Sequence, residues 1–349
     1  MPRWGTSIMN DHIVIVGGGI LGSLIATRIL EFHPHARLTL IDRSMVGTGA
    51  SMYSAGVHFP VGSTARIRAM SIASGEYYRA INNRAVRAAI HETCFRVGSD
   101  RANAAFTTDR CVGLRPSSPP PDLGDFGTSD FQWWDLPGCH VADVYAVVGA
   151  LACDLRKKID LLEGVEVVQI HETATSVSVT TATGEVISGD RLVICPGPWV
   201  NEKPFAEFTS GLGARVKKVV ALHSDDFPVQ DAGLLFAHED VFIAPVPHRN
   251  HWLFSYTCQQ WDIAPNSSAL GITGRELLEA RHWLAQLAPL LNIELKAGRV
   301  FCDAYSPTRE PLIESVGVSG NIIYAGAANG AGYRLAPEIA RTTALTLFS

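Results

Sequence analysis

The stretch IVIVGGGILGSLIATRIL, residues 13–30, decides how the rest of the chain is read. It is apolar enough for a membrane span, but Gly17, Gly18, Gly19 and Gly22 break it. Taken in pieces it has a different order. Ile13–Val16 is a β-branched run that suits a strand buried on both faces of a parallel sheet. Gly17 to Gly22 fits G-x-G-x-x-G, and a helical pattern follows through Leu30, with Leu21, Leu24, Ile25 and Ile29 apolar. A second strand, Leu38–Ile41, ends at Asp42, 20 residues past Gly22. Each part has a physical reason. Gly17 allows a tight turn, Gly19 lets the backbone approach a pyrophosphate, and Gly22 lets helix and strand pack closely. Free N–H groups at the helix start, around Ile20 and Leu21, face the phosphates, and Asp42 accepts from ribose hydroxyls. Strand, glycines, helix, strand and acid in that order point to a bound dinucleotide.

Length and composition suggest about two domains with a large buried core. The chain has 349 residues, 47% of them hydrophobic, and a formal charge of −5. No basic block is present, so nucleic acid is not an expected partner. The seven cysteines are odd in number, form no CxxC and are irregularly spaced. Reduced thiols in the cytoplasm fit better than disulfides or zinc. The scattered histidines suggest no metal site. Residues 1–12 are poor signal-peptide grammar, so a cytoplasmic protein without a membrane span is expected.

After Asp42, an NAD domain would continue into another βαβ unit. Here Arg43 is followed by GTGASMYSAG, 47–56, a small-residue stretch suited to an extended chain along a large flat ligand. At this point the chain resembles the D-amino-acid-oxidase-like FAD family, which includes glycine oxidase and sarcosine oxidase. The resemblance rests on IVIVGGGILGS with LTLID, on GTGASMYSAG, on ATGEVISGDRLVICPGPWV (182–200) and on NIIYAGAANGAGYRLAPEIA (321–340). It implies that Arg43 and Val167 border the nucleotide, that Gly49, Ala50, Ser51, Ala55 and Gly56 underlie the flavin, and that Gly197 and Trp199 complete the domain. In the last segment, Gly326, Gly330 and Gly332 let backbone N–H groups approach a ligand, with Ala331, Tyr333, Arg334 and Leu335 beside them. A helix over 335–346 would then aim its N-terminus at the N1–C2=O edge of the flavin.

The implied fold is α/β: a Rossmann-type, glutathione-reductase-like FAD domain and a second α+β domain on an antiparallel sheet. The FAD domain would be discontinuous, from 8–58, 140–205 and 310–349, with the substrate domain from 59–139 and 206–309. The proline-rich RPSSPPPDLGDFG, 115–127, reads as a surface loop. Val144, Val147, Val148, Leu151 and Leu155 mark an amphipathic helix. VFIAPVPHRNHWLFSYT, 241–257, reads as two strands around a polar turn.

Flavin oxidation of an amine needs positioning and exclusion of water more than an obligatory acid or base. The family's substrate-gripping arginine, in a G-x-R-P segment, is absent from VFCDAYSPTREPLIES, which puts a simple α-amino acid in doubt. Arg309 or Arg334 could take its place, or serve as structural cations. Asp303, facing the pocket, would suit a cationic amine. Cys302 resembles the cysteine that links to the flavin in sarcosine-oxidase-like members, shifted by one residue; a buried inert thiol is the alternative, and non-covalent FAD the expectation. His58, two residues past Gly56, is a candidate base or a structural histidine. Lys217 is a candidate to help oxygen accept electrons; a solvated Lys217–Lys218 face is the alternative. Tyr256, Tyr333 and Phe242 are pocket-wall candidates.

The first reading is thus an FAD-dependent oxidase of the C–N bond of an amine or of an unusual or N-substituted amino acid, with O2 as acceptor and H2O2 as product. Rival readings are an FAD-dependent 2-hydroxy-acid or polyol dehydrogenase using a quinone, a flavin-binding subunit of a larger oxidase, and an NAD-dependent dehydrogenase.

Overall fold

The computed structural model describes residues 11–120, 131–225, 232–267, 270–287 and 293–349. One sheet has six strands in the order Leu312–Val316, Ile322–Gly326, Arg191–Ile194, His12–Val16, Arg37–Asp42, Asp160–Glu163. Leu312–Val316 runs antiparallel to its neighbour and the remaining pairings are parallel. Period-2 alternation divides its side chains between two cores. Ile13, Ile15, Leu38, Leu40, Val193 and Ile323 face the helices Ile20–Phe32, Val144–Leu155 and Gly332–Leu347. Val14, Val16, Ile41, Leu192 and Ile194 face the antiparallel meander Val167–Glu172, Val177–Thr181, Val186–Gly189. Both faces are covered, which is why Ile13–Val16 carries no polar residue. The five predicted apolar positions of Val144–Leu155 are all buried, and Asp143 caps that helix by accepting from the Ala146 N–H.

The second sheet runs Ala297–Tyr305, Arg215–Ser224, His251–Ser255, Val241–Val246, Ala232–Phe236, Ile90–Asp100, Phe131–Ala142, Val57–His58. Its pairings are antiparallel except Ala232–Phe236 with Ile90–Asp100. The expected domain limits at 58/59 and 139/140 fall at the end of one of its strands and inside another, so Val57–His58 and His140–Ala142 pair within this sheet.

Three local expectations are corrected. GTGASMYSAG is not wholly extended: Ala50–Tyr53 forms a helical turn before the chain opens at Ser54. The stretch from 115 is not all loop, because Arg115–Ser117 pairs with Phe131–Ala142 as a short edge strand, where Pro116 lacks only a solvent-side donor. Residues 121–127 of that stretch lie outside the described residues. The final helix begins at Gly332 rather than 335, which places Pro337 inside it. Pro337 has no N–H for the Tyr333 carbonyl, and the buried Tyr78 hydroxyl donates to that carbonyl instead, at 2.8 Å. Among the described residues no helix is long and apolar enough to cross a membrane.

The turn after the first strand is held by a close approach. A Cβ on Gly22 would lie 1.8 Å from the Gly17 carbonyl oxygen, and one on Gly17, at φ +109, would lie 2.2 Å from that of Cys195. Gly149, on an open helix face, meets nothing within 4 Å. Gly22→Ala is expected to lower unfolding stability by roughly 1–3 kcal/mol. Gly149→Ala should raise it by about 0.5–1 kcal/mol. Urea titrations of both variants check this, and equal effects would contradict it.

Candidate active site

A cavity of about 1390 Å³ runs between the two sheets. At one end it is bordered by Gly17, Gly19, Ile20, Leu21, Asp42 and Arg43. The helix Ile20–Phe32 starts there at Gly19 with no side-chain cap, so its N-terminal dipole is open to the cavity. Ser51 Oγ accepts from the Ile20 N–H at 3.0 Å. Asp42 accepts from the Gly18 and Ser44 N–H groups at 2.7 and 2.8 Å. Burial raises its pKa, and these two bonds oppose the rise. Arg43 lies 4.0 Å over the Trp199 ring, and both donate to Asn266 Oδ1, at 3.3 and 2.9 Å. Val167, Gly197 and Trp199 line this end, and Gly49, Ala50, Ser51, Ala55 and Gly56 continue along one side. Gly330, Ala331, Gly332, Tyr333, Arg334 and Leu335 border the cavity farther on. A second helix N-terminus opens among them, since Gly332–Leu347 starts at Ala331 with no side-chain cap.

The chemistry-bearing wall is a strand pair. Lys217 faces Asp303 directly across the ladder between Arg215–Ser224 and Ala297–Tyr305. Alternation puts Lys217, Asp303, Tyr305 and Phe301 on one face, and Lys218, Cys302 and Ala304 on the other. The Lys217 ammonium lies 4.4 Å from the Tyr305 ring centroid and 5.2 Å from that of Trp261. It has no ion pair within 4 Å among the described residues, and burial lowers its pKa against the opposing pull of Asp240. Asp303 accepts from the Ala304 and Gly330 N–H groups at 2.9 and 3.1 Å, bracing the glycine turn. Burial pushes its pKa up to about 6. Lys218 turns away and pairs with Glu276 at 2.5 Å, both essentially buried. The solvated Lys-Lys face is therefore excluded, since the two ammonium groups enter opposite sides of one sheet.

Several predicted residues sit elsewhere. His58 is not on the cavity. Val57 borders it, so the next residue of the strand faces inward, where the His58 ring stacks on His140 at 4.7 Å under Gly75. Burial, with His140 and the nearby Arg334, drives its pKa to about 2, which removes it as a base. Gly326 ends a buried strand, paired with Leu312, and does not reach the cavity. Gly22 also lies off the cavity, in the helix–strand contact expected of it. Cys302 borders the wall but packs in the apolar cluster with Val216 and Ala304, and burial pushes its thiol up to about 11. Tyr256 lines the cavity, yet its hydroxyl donates to the Glu276 carbonyl at 3.2 Å. Arg309 is exposed at the rim, in left-handed backbone at φ +61. Arg334 faces the cavity, its guanidinium carbon 4.9 Å over the Phe59 ring and its Nε buried without a partner. Burial lowers its pKa to about 10, so it stays charged at neutral pH.

Sequence reading missed Phe59, Arg110, Asp240 and Trp261, all of which line the cavity. They come from four separate segments, and none belongs to a local motif.

The pattern of the DAO family, described as FAD dependent oxidoreductase, matches residues 12–345. The chain belongs to this family. It is an FAD-dependent oxidoreductase, and the two open helix N-termini on one cavity suit a cofactor with a pyrophosphate and an electron-poor ring. No curated protein matches the sequence. Among solved structures, the L-proline dehydrogenase from P. horikoshii is similar, with 18% identity, 97% of this chain and 93% of that one covered, and a TM-score of 0.80. The glycine oxidase from Geobacillus kaustophilus follows with 16% identity, 95% and 93% coverage and 0.77. The fructosyl peptide oxidase from E. terrenum has 15% identity, 98% and 90% coverage and 0.81. At such identities the likeness concerns the fold.

The buried pair His58 and His140 makes the fold acid-sensitive. His58 titrates at about 2 and His140 at about 4, against 6.5 unfolded, mainly through burial. Below pH 6.5 the unfolded chain takes up protons that the folded chain refuses. Stability is therefore full above that pH and falls as pH drops toward 4, by about 1.4 kcal/mol per pH unit for each histidine. Thermal melts between pH 7 and 4 check this. His223 and His248 are lowered to about 4 in the same way, so replacing His58 and His140 with Gln should reduce the slope without abolishing it, and an unchanged slope would contradict the assignment.

Proposed function

We propose that the protein oxidises the C–N bond of an amine that carries a carboxylate, an amino acid or an N-substituted amino acid, to an imine, with O2 reduced to H2O2. The observation that supports this is Arg334: a guanidinium on the cavity, deep in the protein, with no ion pair among the described residues. A buried cation without a counter-ion is costly and is suited to a carboxylate supplied by the substrate. Arg334 thus takes the role that the G-x-R-P arginine has in the family, from another element.

Gly17, Gly19, Ile20, Leu21, Asp42, Arg43 and Trp199 would hold the nucleotide half of FAD, and Ala50, Ser51, Gly56 and Gly330 to Leu335 the ring half. FAD supplies a two-electron acceptor for the substrate's hydride. The chain's own residues bind, orient and exclude water. Arg334 orients the substrate, and the aromatic walls Phe59, Phe242, Tyr305 and Trp261 dry the site. Arg334, Lys217, Arg110 and Arg309 outnumber Asp240 and Asp303 on the cavity, which disfavours an ammonium despite Asp303, so the substrate nitrogen reaches its reactive neutral form without a dedicated base. The resulting imine hydrolyses in water. Lys217, held between two aromatic rings without a partner carboxylate, stabilises negative charge developing on oxygen.

Turnover of an amino acid should exceed that of its decarboxylated amine. Arg334→Gln should lower kcat/KM for the acid roughly 100-fold, about 3 kcal/mol, and abolish the preference. Peroxide assays over matched pairs test this. Equal use of both compounds by the wild type would overturn it, and electron transfer to an artificial acceptor without peroxide would point to a dehydrogenase. Lys217→Met should slow reoxidation by O2 at least about tenfold while leaving anaerobic bleaching by substrate intact. Stopped-flow measurement of the two half-reactions separates them.

A further inference from the structure

Arg334 is not the one arginine of the cavity without a counter-ion. Arg110 and Arg309 also line it, and among the described residues neither has a carboxylate within ion-pair distance. By contrast, Arg66, Arg68 and Arg215, near the same cavity, each pair with an acid. Arg110 ends the helix Ala104–Arg110, and its guanidinium carbon lies 3.9 Å from the Phe106 ring centroid. Arg309 sits in the turn after Tyr305. Both anchor on the segment 59–66. The Gly62 N–H donates to the Arg110 carbonyl at 3.0 Å, and Glu310, next to Arg309, accepts from Thr64 and Arg66 at 2.5 and 2.8 Å. The same segment carries Phe59, over which Arg334 lies. One short stretch of chain therefore touches Arg334, the backbone of Arg110 and the neighbour of Arg309, with Arg334 deep and Arg309 at the rim.

The local charge is uneven. Arg110, Arg309, Arg334 and Lys217 face Asp240 and Asp303. Asp240 accepts from Thr257 and acts on Arg110, Arg334 and Lys217 together, while Asp303 is engaged by backbone N–H groups. Burial lowers the pKa of Arg110, Asp240 pulls it back up, and Arg309 acts on it as a like charge. Neither guanidinium has an acid within ion-pair distance among the described residues, so a bridging anion would meet two open forks.

We propose that the substrate is a dicarboxylic amine: Arg334 binds the carboxylate beside the reacting carbon, and the Arg110–Arg309 pair binds a second carboxylate toward the rim. This rests on the role given to Arg334 above and adds the second site. The Phe106 ring holds the Arg110 guanidinium, and the guanidinium fork suits a planar carboxylate.

The test uses the holoenzyme and matched acids of equal carbon number: butyrate with succinate, and pentanoate with glutarate. Binding is read from perturbation of the visible absorption of bound FAD, in the wild type, R110Q, R309Q and R334Q. One dicarboxylate is expected to bind at least tenfold more tightly than its monocarboxylate partner. In R110Q and in R309Q that ratio should fall toward one. Equal affinities within both pairs in the wild type, or a ratio that survives both rim variants, would overturn the second site. In that case, monocarboxylate binding that is lost in R334Q keeps the proposed function standing. If no acid perturbs the spectrum, or R334Q binds them all unchanged, both fall together.

Discussion

The structure depends on the contact between Gly22 and the carbonyl of Gly17. Without side chains at these two positions, the first helix closes onto the first strand with its N-terminus unblocked. Gly17 also packs on the Cys195 carbonyl, so the turn is locked from both sides by backbone. Ser51 Oγ takes the Ile20 N–H, and the remaining dipole of this helix end suits an anion. The second uncapped helix, Gly332–Leu347, repeats the arrangement on the same cavity. Pro337 near its start is tolerated because Tyr78 satisfies the carbonyl that proline leaves free. Two dipoles of the same sense, set on a single cavity, suit a dinucleotide with a reducible ring.

A second constraint acts through alternation along the strand pair Arg215–Ser224 and Ala297–Tyr305. Each one-residue step moves a side chain to the other face. Lys217 and Asp303 enter the cavity, while Lys218 goes to a buried ion pair with Glu276 and Cys302 to an apolar cluster. Breaking the Lys218–Glu276 pair would strand a charge in the interior, so the two adjacent lysines have unrelated roles. The same rule removes His58 from the cavity, since Val57 occupies the position that faces it.

The nucleotide-binding half was legible because its signals are local. The apolar run, the glycine spacing and Asp42 all fall within 30 residues, and each element appears where its pattern places it. In the other sheet the strand pair Val241–Val246 and His251–Ser255 was legible around its polar turn, but the residues that converge on the cavity were not. Arg110, Asp240, Trp261 and Phe59 meet through loops far apart in sequence, with no periodicity to announce them. Of the two readings of His58 the structural one fits, because nearness to Gly56 along the chain does not give proximity to the cavity and strand alternation decides direction. Arg334 could be named but not ranked above Arg309, because burial and the absence of a partner are tertiary facts.

The most direct measurement is the visible absorption spectrum of the purified protein before and after acid precipitation. The account predicts flavin bands in the native sample and transfer of the colour to the supernatant, because Cys302 is turned into the core with its thiol pushed up to about 11. Colour that stays with the pellet would contradict the placement of Cys302. A colourless protein that FAD cannot restore would contradict the reading of the cavity itself.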